Sequence, residues 1–493
     1  MHLLCFEFCD CVAFISLFCL KSDNLSCKFS KLFNLMKLKR KIALLFASIS
    51  LFSLGVGESI NATHDLIKIY QGDNVDNITS GKGTLIYPNG DKYEGEIIDN
   101  MPNGKGILTL ANGDKIEVDW TKGIATGKGT YNWSNGDKYI GDIVDNLRTG
   151  KGILIRVNGD KYEGDFVKGK MTGKGTFTFE EGKYEGDFVD GNLHGKGTLY
   201  FPNGNKYEGD FVDNQSTGKG IYTLVSGSKY VGDFLDGKRT GKGTYTWVNG
   251  DKYVGDFVDG NQTGKGILTL ANGEKYEGDF VDSTRTGKGI LVKVNGDKYE
   301  GDFLDGKSTG KGIYTFTSGD KYVGDWIDGN QTGKGTFTWV SGNKYVGDFV
   351  DGNQTGKGIL TFANGEKYEG DFVDSTRTGF GILTLPTGEK YVGDWVDDKV
   401  TGKGTFTWSN GNKYVGDWVD GYRTGKGTLT TSSGMRYVGK FLNNMQTKGT
   451  LYFPNGDKYV GEFVDGNFHG KGTVTLKNGK KIKGKWLNGN LVN

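Results

Sequence analysis

The glycines that open each Gly-x-Gly triplet fall at Gly81, Gly104, Gly127, Gly150 and Gly173, 23 residues apart. Gly195 comes one residue early. The step then resumes at Gly218 and runs through Gly241, Gly264, Gly287, Gly310, Gly333, Gly356, Gly379, Gly402 and Gly425. One glycine is lost beside Lys448, in "QTKGT", and Gly470 opens the last of eighteen units. A half-unit, Tyr70 to Gly81, precedes them. A fixed period of this kind dictates a repeat array, because one short unit cannot bury an apolar face alone and stacked neighbours can. Residues 252–287 and 344–379 are nearly identical, 92 residues or four units apart, which points to block duplication.

The period also disposes of a nucleotide site. "TGKG" superficially resembles a phosphate loop, but a Walker motif needs four residues between its glycines and Ser or Thr after the Lys. Around Lys265 only three residues separate Gly260 from Gly264, and Gly266 follows the lysine. No helix is expected after it to offer an N-terminal dipole. The motif recurs down the array, whereas an active-site loop is expected once.

Within the unit opening at Gly264, Ile267 to Leu270 reads as a short strand and Lys275 to Val281 as its return. Asn272-Gly273 between them is a strong hairpin signal, and a type I′ turn is expected there. "DSTRTGKG" then reverses the chain into the next unit. Each unit is thus one β-hairpin, and the array is an antiparallel meander. Side chains alternate along a strand. Tyr276, Gly278 and Phe280 share one face, and Leu268 and Leu270 are placed on the same side. In the preceding unit that side carries Tyr245, Trp247, Tyr253, Gly255 and Phe257. The glycine leaves room for a ring to lie across the backbone. Thr269, Lys275, Glu277, Asp279 and Val281 form the other, solvated face. No helix is expected to cover the aromatic side, so the sheet is expected to twist and curl on itself to shield it. Whatever stays exposed is a long apolar face. It is therefore a candidate binding face, formed by Tyr253, Phe257, Tyr276, Phe280, Tyr299, Phe303, Tyr322, Trp326, Tyr345, Phe349, Tyr368, Phe372, Tyr391 and Trp395, since a long exposed apolar surface marks partner binding or self-association.

Composition agrees. Glycine supplies 84 of 493 residues and proline only 5, with 25 Tyr, 29 Phe and 9 Trp. This is the signature of many short strands and tight turns, not of collagen or disorder. Lys and Arg total 61 against 59 Asp and Glu, so no basic field suggests nucleic acid. All five cysteines lie within residues 1–27, and the four histidines are far apart, so neither disulfides nor a His-based metal or acid–base cluster is expected in the array. Asp256 and Asp259 recur as a pair in most units. They fit no EF-hand loop, and Asp-Gly-Asn reads as a turn opener rather than a calcium ligand set. Carboxylate pairs repeated down the array argue equally against a catalytic dyad. His194 and His469 stand where Thr usually precedes Gly-Lys-Gly and read as loop residues. Asn261 and Asn330 open Asn-x-Thr sequons, relevant only in a glycosylating host.

Before the array, residues 36–62 have the form of a secretory signal peptide: Lys37, Lys39, Arg40 and Lys41, an apolar run from Ile42 to Val56, then small residues. Cleavage is expected between Ala62 and Thr63, with Gly57 the alternative site and a retained membrane anchor the alternative fate. Residues 1–35 read as an over-extended start or an extra leader, with Met36 the working start. In the last unit Lys481, Lys483 and Lys485 read as an edge that discourages aggregation, with a membrane-surface patch as the alternative.

"YEGDFVDNQSTGKGIYTLVSG" from Tyr207 and "YVGDWVDGYRTGKGTLTTSSG" from Tyr414 resemble the MORN repeat (membrane occupation and recognition nexus). The shared pattern is Tyr-x-Gly-x-Trp/Phe, a short polar loop, Gly-x-Gly, a strand and an Asn/Asp-Gly turn, and it covers residues 66–493. It departs at Ile116 and Val118, at the shortened turn Glu180 to Tyr184, and beside Lys448, so distortion is expected there. The resemblance implies an elongated all-β array: a half-repeat at 66–80, then about eighteen tandem repeats over 81–493 in a single twisted or coiled sheet. It also implies protein–protein contacts, self-assembly and, as an alternative, membrane-lipid association. The lipid kinase or methyltransferase domains fused to such repeats elsewhere have no counterpart in these residues. The expectation is a non-enzymatic, exported scaffold for unidentified protein partners or for self-association. No cofactor, nucleotide or nucleic acid is expected.

Overall fold

The computed structural model describes residues 80–492. The leader and signal-peptide assignments, the Ala62–Thr63 junction and, apart from Ser80, the half-repeat lie outside the described residues. Among those described, every regular element is a β-strand, 37 in all. The chain divides into two compact units, one ending at Val248 and one beginning at Asn249. Fifteen strands belong to the first and twenty-two to the second. Within each unit, strands pair antiparallel with their chain neighbours, as expected for a meander.

One repeat of the second unit serves as the pattern. The return strand is Lys275–Val281, where the residue pattern put it. The outgoing strand is longer than that pattern suggested, running Asn261–Thr269 and taking in the whole of "TGKG". Glycine makes this work. Gly255 lies opposite Gly266 and Asp256 opposite Thr263, so Gly264 and Lys265 are extra residues on the outgoing strand. This bulge needs one left-handed residue, and Gly264 has φ +56°.

The turn at Asn272-Gly273 is not the type I′ turn that its sequence suggested. At Asn272-Gly273 only the glycine has positive φ, +95°. The Gly273 N–H donates to Leu270 O at 2.9 Å, and the Leu270 N–H to Glu274 O at 2.8 Å. That is a three-residue loop, a type I turn closed by a left-handed glycine. The type I′ turns lie at the other end of the strands, where Asp259 and Gly260 have φ 49° and 88°. Asp282-Ser283 does the same work with φ 46° and 65°.

The departures from the pattern change the ladder locally without interrupting the sheet. Ile116 and Val118 are buried, at 0% and 4% exposure, and the strand Lys115–Thr121 pairs on both sides. At Glu180-Glu181 the loop tightens to two residues, with Gly182 directly opposite Phe179. Beside Lys448 the bulge loses one residue, which brings Lys448 opposite Lys440.

Candidate interaction surface

The aromatic side of the sheet is the core. The proposed binding face of Tyr253, Phe257, Tyr276, Phe280, Tyr299, Phe303, Tyr322, Trp326, Tyr345, Phe349, Tyr368, Phe372, Tyr391 and Trp395 is corrected accordingly, because each of these rings is at most 5% exposed. They bury one another in a zigzag. The Tyr276 centroid is 5.2 Å from Phe280 of its own strand and 4.9 Å from Phe303 of the next return strand, both edge to face. Tyr299 repeats this with Phe303 and Trp326, and Tyr322 with Trp326 and Phe349. Edge-to-face pairing is the arrangement that ring quadrupoles favour.

Each tyrosine is also pinned by its hydroxyl. Tyr276 O–H lies 3.1 Å from Asp279 O and 3.3 Å from Thr286 O. Its ring covers Gly278 and Gly289. A Cβ at Gly278 would stand 2.5 Å from the hydroxyl, and one at Gly289 would stand 2.5 Å from Cε2. The strand glycines are therefore seats for the tyrosine, the room for a ring that the sequence suggested. Burial pushes these phenols up, to about 12 at Tyr253, Tyr276 and Tyr322.

Two supporting devices were missed in the sequence. At the position before "TGKG", or before "TGFG" in one unit, five units carry an arginine stacked against the aromatic row. Arg377 lies 4.7 Å from the Trp395 ring and 5.5 Å from Tyr368, while Arg148 contacts Trp133, Tyr139 and Phe166. Arg423 contacts Trp408, Tyr414 and Phe441. Such cation–π contacts seal the edge of the row. Second, where Asp, Asn or Ser stands two before the return-strand tyrosine, it clamps successive repeats. Asp297 accepts the backbone N–H of Thr317 at 2.9 Å, its hydroxyl at 3.2 Å, Tyr314 O–H at 2.8 Å and Asn295 Nδ2 at 2.9 Å. The Thr317 N–H leads in holding this carboxyl down at about 2. Asp251, Asn343 and Asp457 make the same bond to Ala271, Ala363 and Lys477. The signal was in the sequence, as Asp, Asn or Ser just before "KY" in most repeats.

What faces solvent is the opposite side. Lys275 and Glu277 are exposed and paired at 3.1 Å. Across strands, Lys265 Nζ meets Asp279 Oδ1 at 2.6 Å, while Asp279 Oδ2 accepts the Lys288 N–H at 3.1 Å. One carboxylate thus both closes the bulge and neutralises the neighbouring lysine. Equivalent pairs recur at Lys151–Asp165, Lys334–Asp348 and Lys357–Asp371. Between the rows run grooves floored by glycine. In the first unit one of about 920 Å³ is lined by Lys151, Gly152, Glu163 and Lys174 among others. In the second, one of about 530 Å³ is lined by Lys334, Gly347, Lys357 and the exposed Phe380 among others.

Asp259 holds a left-handed turn position, while Asp256 lies opposite Thr263 at the bulge. Lys481, Lys483 and Lys485 lie in the strand Lys481–Leu487. Asn490–Val492 pairs with Lys485–Leu487, so Lys485 is inside a ladder rather than on a bare edge. His194 and His469 lie within strands, each with a buried Nδ1 that no protein group satisfies. Among the described residues, no three His, Cys, Asp or Glu side chains are grouped to hold a metal ion. No described helix is long and apolar enough to cross a membrane.

The repeat geometry and the family comparison agree. The MORN repeat model matches eighteen stretches from residues 70–92 to 459–481, and the only residues it skips between them are 116–118. The chain belongs to the MORN-repeat family. Matches to solved structures are weak. The TCP domain of Drosophila melanogaster SAS-4, in complex with a proline-rich motif of Ana2, is 17% identical, covering 36% of this chain and 90% of that one with a TM-score of 0.22. The TCP10 domain of Danio rerio CPAP (E1021V mutant) is 13% identical over 45% and 99%, TM-score 0.17. Virginiamycin B lyase from Staphylococcus aureus is 11% identical over 66% and 99%, TM-score 0.10. At these scores none bears on how this MORN array works. The search of curated proteins found no match.

Proposed function

We propose that this MORN array is a non-enzymatic scaffold that holds protein partners, exported to the cell envelope or the exterior. The observation that carries the reading is the division of labour between the faces. The aromatic row is spent on the core, with Tyr276 and Phe280 each 1% exposed. The opposite face repeats the same lysine, carboxylate and β-branched side chains every 23 residues over glycine-floored grooves. Weak contacts repeated at fixed spacing add through multivalency. Contact is thus assigned to the polar face, not to the displayed rings that the sequence suggested. Chemistry on a substrate calls for a cluster of polar groups that occurs once, whereas the polar groups here recur with the repeat.

Export rests on residues 36–62, with their basic start and apolar run. The test is to cross-link the native protein in its own cells, recover it by fraction and sequence its N-terminus. A chain starting at Thr63 in an envelope or secreted fraction, cross-linked to other proteins through polar-face lysines, is the expected result. An uncleaved chain in the cytosol would overturn export. Recovery without any cross-linked protein would overturn the scaffold.

A further inference from the structure

Through most of the array the Gly-Lys-Gly lysine is neutralised across strands by aspartate, as at Lys288–Asp302 and Lys357–Asp371, both 2.5 Å. From Lys426 onward the pattern inverts. Lys440 takes the aspartate's place and lies directly opposite Lys426 on one side. On its other side it lies opposite Lys448, which the shortened bulge brings into register. Two return strands later Lys485 takes the aspartate's place, opposite Lys471. These five lysines are exposed, and among the described residues none has an ion-pair partner within 4.0 Å. Glu462, opposite Lys448, is the one acid in the row. Like charges facing each other across strands are destabilising, so a repeat that tolerates three in a line has a use for an outside anion.

Three of the five, Lys448, Lys471 and Lys485, border a groove of about 720 Å³, and Lys440 and Lys426 continue the row of lysines beyond its lining. Gly449, Gly461, Gly472 and Gly484 floor it, with Lys448, Lys471, Lys483 and Lys485 around them. We propose that this groove binds an acidic polypeptide segment of a partner, whose carboxylates replace the missing aspartates. This rests on the scaffold reading and names the chemistry of one partner. The array itself identifies the ligand, because the lysine at this position already accepts a protein carboxylate in repeat after repeat. The lining contains no arginine, the side chain suited to forked phosphate recognition.

The experiment measures anisotropy of a labelled poly-glutamate peptide on the full chain, with poly-glutamine as the neutral control. The variant Lys483→Glu/Lys485→Asp changes two residues that line the groove and restores the acids that other return strands carry there, as at Glu277 and Asp279. Lys122→Asp/Lys168→Asp changes charge equally at left-handed turn positions where most repeats carry Asp, and so controls for net charge. Poly-glutamate is expected to bind in a salt-dependent way and to lose about tenfold or more in affinity in the first variant only. Equal affinity in both variants would overturn the inference, as would binding to phosphatidylserine vesicles but not to poly-glutamate. Either failure alongside intact partner cross-links leaves the scaffold standing. Absence of cross-links would fail the scaffold itself.

Discussion

The tyrosine and its two glycines are the smallest unit on which this fold depends. Tyr276→Phe removes only the hydroxyl and its bonds to Asp279 O and Thr286 O, at a cost of about 1 kcal/mol. Gly289→Ala puts a methyl 2.5 Å from the ring it must not touch, and overpacking of this kind costs about 1–3 kcal/mol. Hydrogen exchange of the strands Lys275–Val281 and Thr284–Val292 is expected to rank Gly289→Ala as the more damaging. The reverse order would mean that the hydroxyl, not the fit over glycine, holds the ring. The alternation of Tyr, Gly and Phe made this face legible in the sequence, down to the seat left by glycine. What the alternation does not reveal is how far the rings cover one another, and that is why a core looked like a binding surface.

At the scale of the hairpin, the strands were easier to read than the turns. Lys275–Val281 stands where its alternation put it, but Asn272-Gly273 serves a three-residue loop as readily as a two-residue one. The loop fits the register of the two strands it joins, with Thr269 opposite Lys275, and register is not a local property. "TGKG" read as punctuation because glycine at positive φ usually ends a strand, whereas here it lets the strand continue. The clamp between hairpins is the other element-scale device. Asp297→Ala leaves Thr317 N–H and Tyr314 O–H without their acceptor, and a loss of about 1–3 kcal/mol is expected. Thermal unfolding of the variant checks it, with Asp297→Asn expected to recover part of the loss, as Asn343 does at the same position. The clamp also has a pH signature. The carboxyl is depressed to about 2 in the fold from an ordinary value near ~4. Its contribution is therefore present above ~4 and lost as pH falls through about 2.

Over the whole molecule the repeated phenols set the alkaline limit. Tyr253, Tyr276 and Tyr322 are raised to about 12 by burial, and Tyr162 and Tyr184 are raised for the same reason. Between pH ~10 and ~12 the unfolded chain releases these protons and the folded chain keeps them, so stability falls as pH rises through that window. Because the same group recurs along the array, the fall is expected to be steep. Tyrosinate absorbance is expected to appear together with loss of sheet circular dichroism. Tyrosinate forming while the sheet persists would show the phenols to be open to solvent. The repeat architecture was legible from the period alone, since each unit asks only for neighbours like itself. The charge inversion at Lys440 and Lys485 was only half legible, because it becomes a groove once register sets the lysines side by side.

The central claim is that the aromatic row is core and the polar face is the surface offered to partners. Hydroxyl-radical footprinting of the free chain, read by mass spectrometry residue by residue, tests it most directly. Slow oxidation is expected at Tyr276, Phe280, Tyr299 and Phe303 and fast oxidation at Phe380, which is 52% exposed on the polar face. Oxidation of the core row at the rate of Phe380 would contradict the account and return the rings to the role of a displayed binding face.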